Sequence, residues 1–137
     1  ALNGQTPELS SGQRNIDWIY VSDLVNGLLE LGCQPGLEGE TIDLGSGQFH
    51  TVKTVVEKIL KQIDPNIQGN FGAVIDRPME QERLADVQET ERKLNWRTQV
   101  PLDDGLTKTI DWYLENTEWL NNVTSGSYRA YYEKHYG

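Results

Sequence analysis

The strongest periodic signal in the chain is Val52, Val55, Val56, Ile59, Leu60 and Ile63, one apolar face sustained over three helical turns. Thr51 opens that helix and Asp64-Pro65 stops it, because a residue before proline is disfavoured in helical geometry. A second helical pattern, Leu24, Val25, Leu28 and Leu29, predicts a helix from about Ser22 to Leu31. Ser22 or Asp23 serves as its cap and Gly32 closes it. The run just before, Asp17 to Val21, is rich in aromatic and β-branched residues and reads as a strand feeding that helix. After a turn-rich connection over 34–39, Glu40 to Leu44 reads as a short strand, and Gly45-Ser46-Gly47 leads on toward Thr51. Asn66 to Ile75 alternates loosely, with Gly69 and Gly72 interrupting, so a strand or an irregular extended run fits. Asp76 to Glu80 is a polar, turn-like insertion.

Asp86 is placed to cap a short helix through Leu94, with Trp96 packing at its end. Asp103 and Asp104 favour a helix N-terminus, and Leu106, Ile110, Tyr113 and Leu114 mark the buried side of a helix reaching Trp119. The aromatic tail, Ser127 to Tyr136, is read as a last helix packed on the body or on another subunit, which keeps a homodimer open. At the other end, Ala1-Leu2-Asn3-Gly4 resembles the last turn of a helix with its glycine stop, and Pro7 to Gly12 is a loop or short extended piece. A start in mid-element points to a fragment. No repeat, low-complexity tract or dividing linker interrupts residues 1–137, so the expectation is a single domain. The class is mixed α/β, with a few short strands and about four to five helices.

Composition narrows what such a domain can do. With 137 residues, 36% apolar and 9% aromatic, the chain has the make-up of a globular protein. A net charge of −9 argues against a general nucleic-acid partner, which needs a basic face. It leaves room for a small anion held by one or two arginines. Cys33 is the one cysteine, which rules out an internal disulfide and a thiolate metal cluster. His50 and His135 lack zinc-ligand spacing, so no metal site is expected. No apolar run approaches the roughly 20 residues of a membrane-spanning helix. Ala1 to Gly4 has neither the basic start nor the apolar core of a leader, so the expected address is cytoplasmic, with no membrane partner. Asn122-Val123-Thr124 matches a glycosylation acceptor, a triplet that arises readily by chance.

No nucleophile and base can be paired from the sequence. Gly45-Ser46-Gly47 lacks the third glycine of a dinucleotide fingerprint. It is either a tight turn or a place where backbone approaches a ligand. His50 reads as a residue leading into the helix. Arg77, next to Pro78 in a loop between ordered stretches, is the sharpest candidate. It is either a bidentate clamp for phosphate or a surface arginine paired with Glu80 or Asp76.

Four pieces, in order, carry a resemblance. They are Asp17-Trp18-Ile19-Tyr20-Val21-Ser22-Asp23; then Gly39-Glu40-Thr41-Ile42-Asp43-Leu44-Gly45-Ser46-Gly47; then Arg77-Pro78-Met79-Glu80 with Ala85-Asp86. The last is Leu94-Asn95-Trp96 with Leu102-Asp103-Asp104-Gly105-Leu106 and Thr109-Ile110-Asp111-Trp112-Tyr113. Together they resemble the C-terminal half of extended short-chain dehydrogenase/reductases that act on nucleotide sugars, the NAD-dependent epimerase/dehydratase family. The tail, Trp119-Leu120 through Tyr128 to Gly137, is similar to that of the 4,6-dehydratases in this family.

What the resemblance implies is a small substrate domain whose Rossmann half is absent from these residues. The glycine-rich NAD loop and the Tyr-x-x-x-Lys catalytic pair belong to that half, so no catalytic residue, NAD site or bound cofactor is expected here. NAD is the cofactor of the implied parent, in which a hydride passes to NAD from the sugar and returns after epimerisation or loss of water. By the same resemblance Arg77 holds the nucleotide diphosphate, Glu80 binds hydroxyls of the nucleoside sugar, and Trp18 lines the nucleotide pocket. Two positions depart from the pattern. Ile16 stands where the family usually has arginine, so Arg14 is the candidate to reach the same phosphate. Asp43 stands where asparagine is usual, which is unfavourable near a dianion unless the carboxylate faces away. The implied partners are a nucleotide-diphosphate sugar and the missing Rossmann domain. The alternative is a non-catalytic nucleotide-binding or protein-interaction module.

Overall fold

The computed structural model describes residues 1–77 and 79–126. The expected tail helix over Ser127 to Tyr136 lies outside the described residues. Among the described residues the class is mixed α/β, with five helices and a few short strands. The chain divides into two compact units, Ala1–Gly105 and Leu106–Gly137.

The first unit holds two small ladders. β1 (Glu8–Leu9) pairs in parallel with β4 (Asn70–Phe71), and β2 (Asn15–Asp17) pairs antiparallel with β3 (Phe49–Thr51). In the second ladder Ile16 lies opposite His50 and Asp17 opposite Phe49. Helix α2 (Val52–Ile63) follows β3 directly. Thr51 caps it, its hydroxyl accepting the N–H of Thr54 at 3.1 Å. Val55 and Leu60 from its apolar face join Leu94 and Trp96 in the core, all at 5% exposure or less. Helix α3 (Val87–Leu94) is capped by Asp86, whose side chain accepts the N–H of Glu89 at 2.9 Å. It ends at Asn95 in the left-handed conformation, φ 51°. On its outer side the Glu89 carboxyl is held down to about 2, first by Arg92 and then by Lys93.

Several sequence expectations are corrected. The strand expected over Asp17 to Val21 covers Asn15–Asp17 instead. At Asp17 the chain leaves the ladder, because that carboxylate turns to loop amides elsewhere and Trp18 donates its indole N–H to the His50 carbonyl at 3.2 Å. Helix α1 spans Val21–Cys33, running past Gly32. Its cap is Tyr20, which makes no side-chain capping bond. Asp23 does not cap: it is 5% exposed, and Oδ2 accepts the N–H groups of Gln99 and Val100, both at 2.9 Å. Those two amides precede Pro101 and need an acceptor, and the buried carboxylate supplies it. Among the described residues Glu40 to Leu44 makes no ladder, and of the 66–75 run, expected as a strand or an irregular extended piece, Asn70–Phe71 is strand.

Helix α4 (Leu102–Glu115) begins in the first unit, with Asp103 and Asp104 in its first turn. Rather than reaching Trp119, it breaks at Asn116, whose side-chain amide bonds back to the Trp112 carbonyl at 2.8 Å, and α5 (Thr117–Thr124) starts anew. In the second unit Ile110 is buried, while Leu114, expected inside, is 55% exposed. Trp112 packs edge-on against Tyr113 and Trp119, the Trp112–Trp119 centroids 5.1 Å apart, and Tyr113 lies tilted to Trp119.

Candidate functional site

The Arg77 region is built by a second row of contacts that prolongs the β1–β4 pairing. Past β4, Asp76, Glu80 and Glu82 reach Ser11, Arg14 and Asn15 in turn, in the same parallel sense, joined by carboxylates. Asp76 Oδ1 accepts both the backbone N–H (3.0 Å) and the hydroxyl (2.9 Å) of Ser11. Glu80 Oε2 pairs with the Arg14 guanidinium. Glu82 accepts the Asn15 N–H at 2.7 Å and its side-chain amide at 3.2 Å. The Ser11 hydroxyl and then its N–H hold the Asp76 carboxyl below its usual range, and the Asn15 N–H does the same for Glu82. These acidic residues therefore fasten the loop by accepting main-chain and hydroxyl protons.

Between the two segments lies a cleft of about 560 Å³, lined among others by Arg14, Val52, Ile75, Asp76, Arg77 and Glu80. Glu80 sits between the arginines: its second oxygen, Oε1, is 3.4 Å from Arg77 Nη1. Arg77 is otherwise open, its side chain 84% exposed. The structure thus brings together three of the four residues singled out in the sequence: Arg77, Glu80 and Arg14. It does not bring Trp18 to them. Trp18 lines a separate cavity of about 280 Å³ with Ser46, His50 and residues 98–102, and the two cavities have no lining residue in common. Asp43 is not in the cleft of Arg14 and Arg77 either; it lines a third cavity, which it shares with Arg83 and Ala85. Its carbonyl accepts the Thr90 hydroxyl at 2.7 Å.

The side chain that sequence reasoning passed over is Asp17. Its Oδ1 accepts the Ser46 N–H at 2.7 Å and the Ser46 hydroxyl at 2.6 Å, and its Oδ2 accepts the N–H groups of Gly47 and Ala85, each at 3.0 Å. A Gly-Ser-Gly loop with amides converging on one point is an anion-binding nest. Here the anion is the protein's own carboxylate. The glycines are needed for the approach: a Cβ on Gly45 would lie 2.6 Å from Asp17 Oδ2, and Gly47 has φ +72°. The only signal for this in the sequence was an aspartate in a run otherwise fit for a buried strand. The same geometry decides what the loop can hold. With the Ser46 and Gly47 amides taken, it does not fit the pyrophosphate of NAD.

Among the described residues no group of histidine, cysteine or acidic side chains could hold a metal ion, and no helix is long and apolar enough to cross a membrane. Cys33 is a free, exposed thiol.

No family model matches the chain. It is 33% identical over 145 residues to dTDP-glucose 4,6-dehydratase 1 of Escherichia coli (strain K12), a match covering 99% of this chain and 40% of the enzyme. Among solved structures, the epimerase Mth375 of Methanothermobacter thermautotrophicus superposes with a TM-score of 0.80 at 28% identity, over 88% of this chain and 36% of that one. The Bordetella bronchiseptica enzyme WbmF in complex with NADH gives a TM-score of 0.77 at 26% identity, over 99% of this chain and 40% of that one. The chain therefore spans well under half the length of the relatives it matches. It belongs to the NAD-dependent nucleotide-sugar epimerase/dehydratase family of extended short-chain dehydrogenase/reductases and corresponds to the C-terminal part of those proteins.

Proposed function

We propose that these residues are the nucleotide-sugar-binding portion of an NAD-dependent nucleotide-sugar epimerase or dehydratase, of the 4,6-dehydratase kind. The observation that carries this reading is Arg77, a largely exposed guanidinium in contact with Glu80 at the edge of a cleft that also holds Arg14, in a chain that matches a dTDP-glucose 4,6-dehydratase over nearly all of its own length. WbmF has also been solved with NAD+ and UDP, at a TM-score of 0.71 and 25% identity, which supports a uridine or thymidine diphosphate as the ligand class.

In this reading the ligand's diphosphate takes Arg77 and draws Arg14 from Glu80. Charge-assisted hydrogen bonds of this type contribute about 1.5–3 kcal/mol each. Glu80, released from the arginines, becomes an acceptor for hydroxyls of the nucleoside sugar. The cleft lining carries Glu8, Asp76, Glu80 and Glu82 against two arginines, which opposes an anion, so the diphosphate is held only where a guanidinium is turned outward. NAD, when bound in the parent, supplies the hydride acceptor. The residues described here do not hold it, and their work is to bind and orient the sugar nucleotide. A cytoplasmic setting belongs to the same reading.

The test is calorimetric titration of UDP and dTDP into the full-length protein that contains these residues, with and without Arg77→Ala. A loss of roughly tenfold or more in affinity is expected, about one charge-assisted bond. Unchanged affinity for both nucleotides removes Arg77 from the site.

A further inference from the structure

Just past the Asp17–Phe49 pair that closes the β2–β3 ladder, Trp18 and Gln48 line a cavity of about 280 Å³ that the diphosphate reading does not use. His50 stands on the same wall, and the facing wall is Thr98 to Leu102, the approach to α4. Both walls are held by hydrogen bonds. The Trp18 indole N–H is spent on the His50 carbonyl at 3.2 Å, and the buried Asp23 carboxylate accepts the Gln99 and Val100 amides at 2.9 Å. The side chains between them are not spent. The Gln48 amide, the His50 imidazole and the Thr98 hydroxyl make no hydrogen bond among the described residues, and Gln99 gives one N–H to the Arg97 carbonyl at 3.1 Å and keeps its oxygen. In a chain that is 24% charged, no aspartate, glutamate, lysine or arginine is among the described residues lining this cavity.

We propose that this cavity binds a neutral pyranose, at a site separate from the arginine cleft. The lining selects the ligand class. A phosphate, carboxylate or ammonium group entering here would lose water and meet no opposite charge. A pyranose carries hydroxyls that donate and accept around its rim, and amide, imidazole and hydroxyl side chains on two walls answer both. Its C–H face is weakly positive and packs on the negative face of an indole, and the Trp18 ring has no N–H left to offer a polar edge. A nucleobase is a poorer match, because its polar groups lie along in-plane edges while the cavity spreads its own over both walls. The space is at the small end of ligand pockets, which run to roughly 300–1,000 Å³, and so suits one sugar unit, free or at the end of a glycan. The inference uses this cavity alone and stands or falls apart from nucleotide binding at Arg77.

The test is saturation-transfer NMR on the full-length protein, without nucleotide. The probes are the methyl pyranosides of glucose, galactose and mannose, maltotriose for a glycan end, and adenosine. Saturable binding of at least one saccharide is expected, weakened about tenfold or more by Gln48→Ala and by Thr98→Val and unchanged by Arg77→Ala. Melting temperatures equal to the parent's show that the variants are folded. Maltotriose binding more tightly than methyl glucoside assigns the site to a glycan end, and equal binding assigns it to a free sugar. Three results overturn the proposal: no saturable binding of any saccharide, binding untouched by both Gln48→Ala and Thr98→Val, or a loss seen in Arg77→Ala alone, which puts the sugar in the arginine cleft. Adenosine bound here in place of the saccharides overturns it as well, in favour of a nucleobase.

Discussion

Asp17 Oδ2 accepts the backbone N–H of Ala85 at 3.0 Å, across 68 positions of sequence. The same carboxylate gathers the 45–47 loop, so one side chain ties together the end of β2, that loop and the approach to α3. Asp17→Asn keeps the shape but turns an amide N–H₂ toward donors. The expected loss is about 2–4 kcal/mol of stability, the scale of stranding one or two bonds to a charged acceptor. Urea unfolding monitored by tryptophan fluorescence measures it, and a variant within about 0.5 kcal/mol of the parent would show that the hub is not what holds these segments.

Gly45→Ala tests the same hub from the other side. The added methyl would sit 2.6 Å from Asp17 Oδ2 and 2.6 Å from the Ala85 Cβ, both pinned by hydrogen bonds. Overpacking of this kind costs about 1–3 kcal/mol. Gly32→Ala is the control, since a Cβ there meets nothing within 4 Å. Equal melting of the two variants would refute the close approach.

The fastening of the 76–82 loop should depend on acid. Asp76 and Glu82 have ordinary values of 3.8 and 4.5, and both are lowered in the folded chain by their bonds from Ser11 and Asn15. A lowered carboxyl stabilises the fold fully above its unfolded value and loses that contribution as pH falls through the folded one. The loop is therefore expected to stay fastened at neutral pH and to loosen below about pH 4. Amide shifts of Ser11 and Asn15 followed by NMR report it directly. Loosening already at about pH 6 would assign the fastening to other groups.

Much of this was legible in the sequence where one residue type has one economical use. Thr51 and Asp86 are capping residues followed by helical patterns, and both cap. Arg77 and Glu80 lie in one turn-like loop and meet, and Arg14, joined to them in the sequence by resemblance alone, meets Glu80 as well. The failures have a shared cause. Asp17 and Asp23 were read locally, as part of a strand and as a cap, but each satisfies amides supplied by distant segments, and no local pattern reports a partner more than 60 positions away. By resemblance Trp18 lines the nucleotide pocket; in the structure its indole donates to the His50 carbonyl, along a cavity separate from that of Arg14 and Arg77. Strand propensity at Glu40 to Leu44 is real in composition but finds no ladder among the described residues.

Glu80 occupies the arginines that the proposed ligand would use, so Glu80→Gln separates two of its roles. Removing the charge should tighten inorganic pyrophosphate by about threefold or more, because the competing internal carboxylate is gone. The same variant should bind uridine or thymidine no better than the parent. Pyrophosphate affinity that falls instead would mean Glu80 is needed to orient Arg14 and Arg77, and the exchange described above would be wrong.

The most direct measurement of the central claim is UDP and dTDP titrated calorimetrically into the full-length protein and its Arg77→Ala variant under one buffer condition. The account predicts saturable binding to the parent and a loss of roughly tenfold or more on removing the guanidinium. Binding of equal strength in both, or no nucleotide binding by the parent, would contradict it.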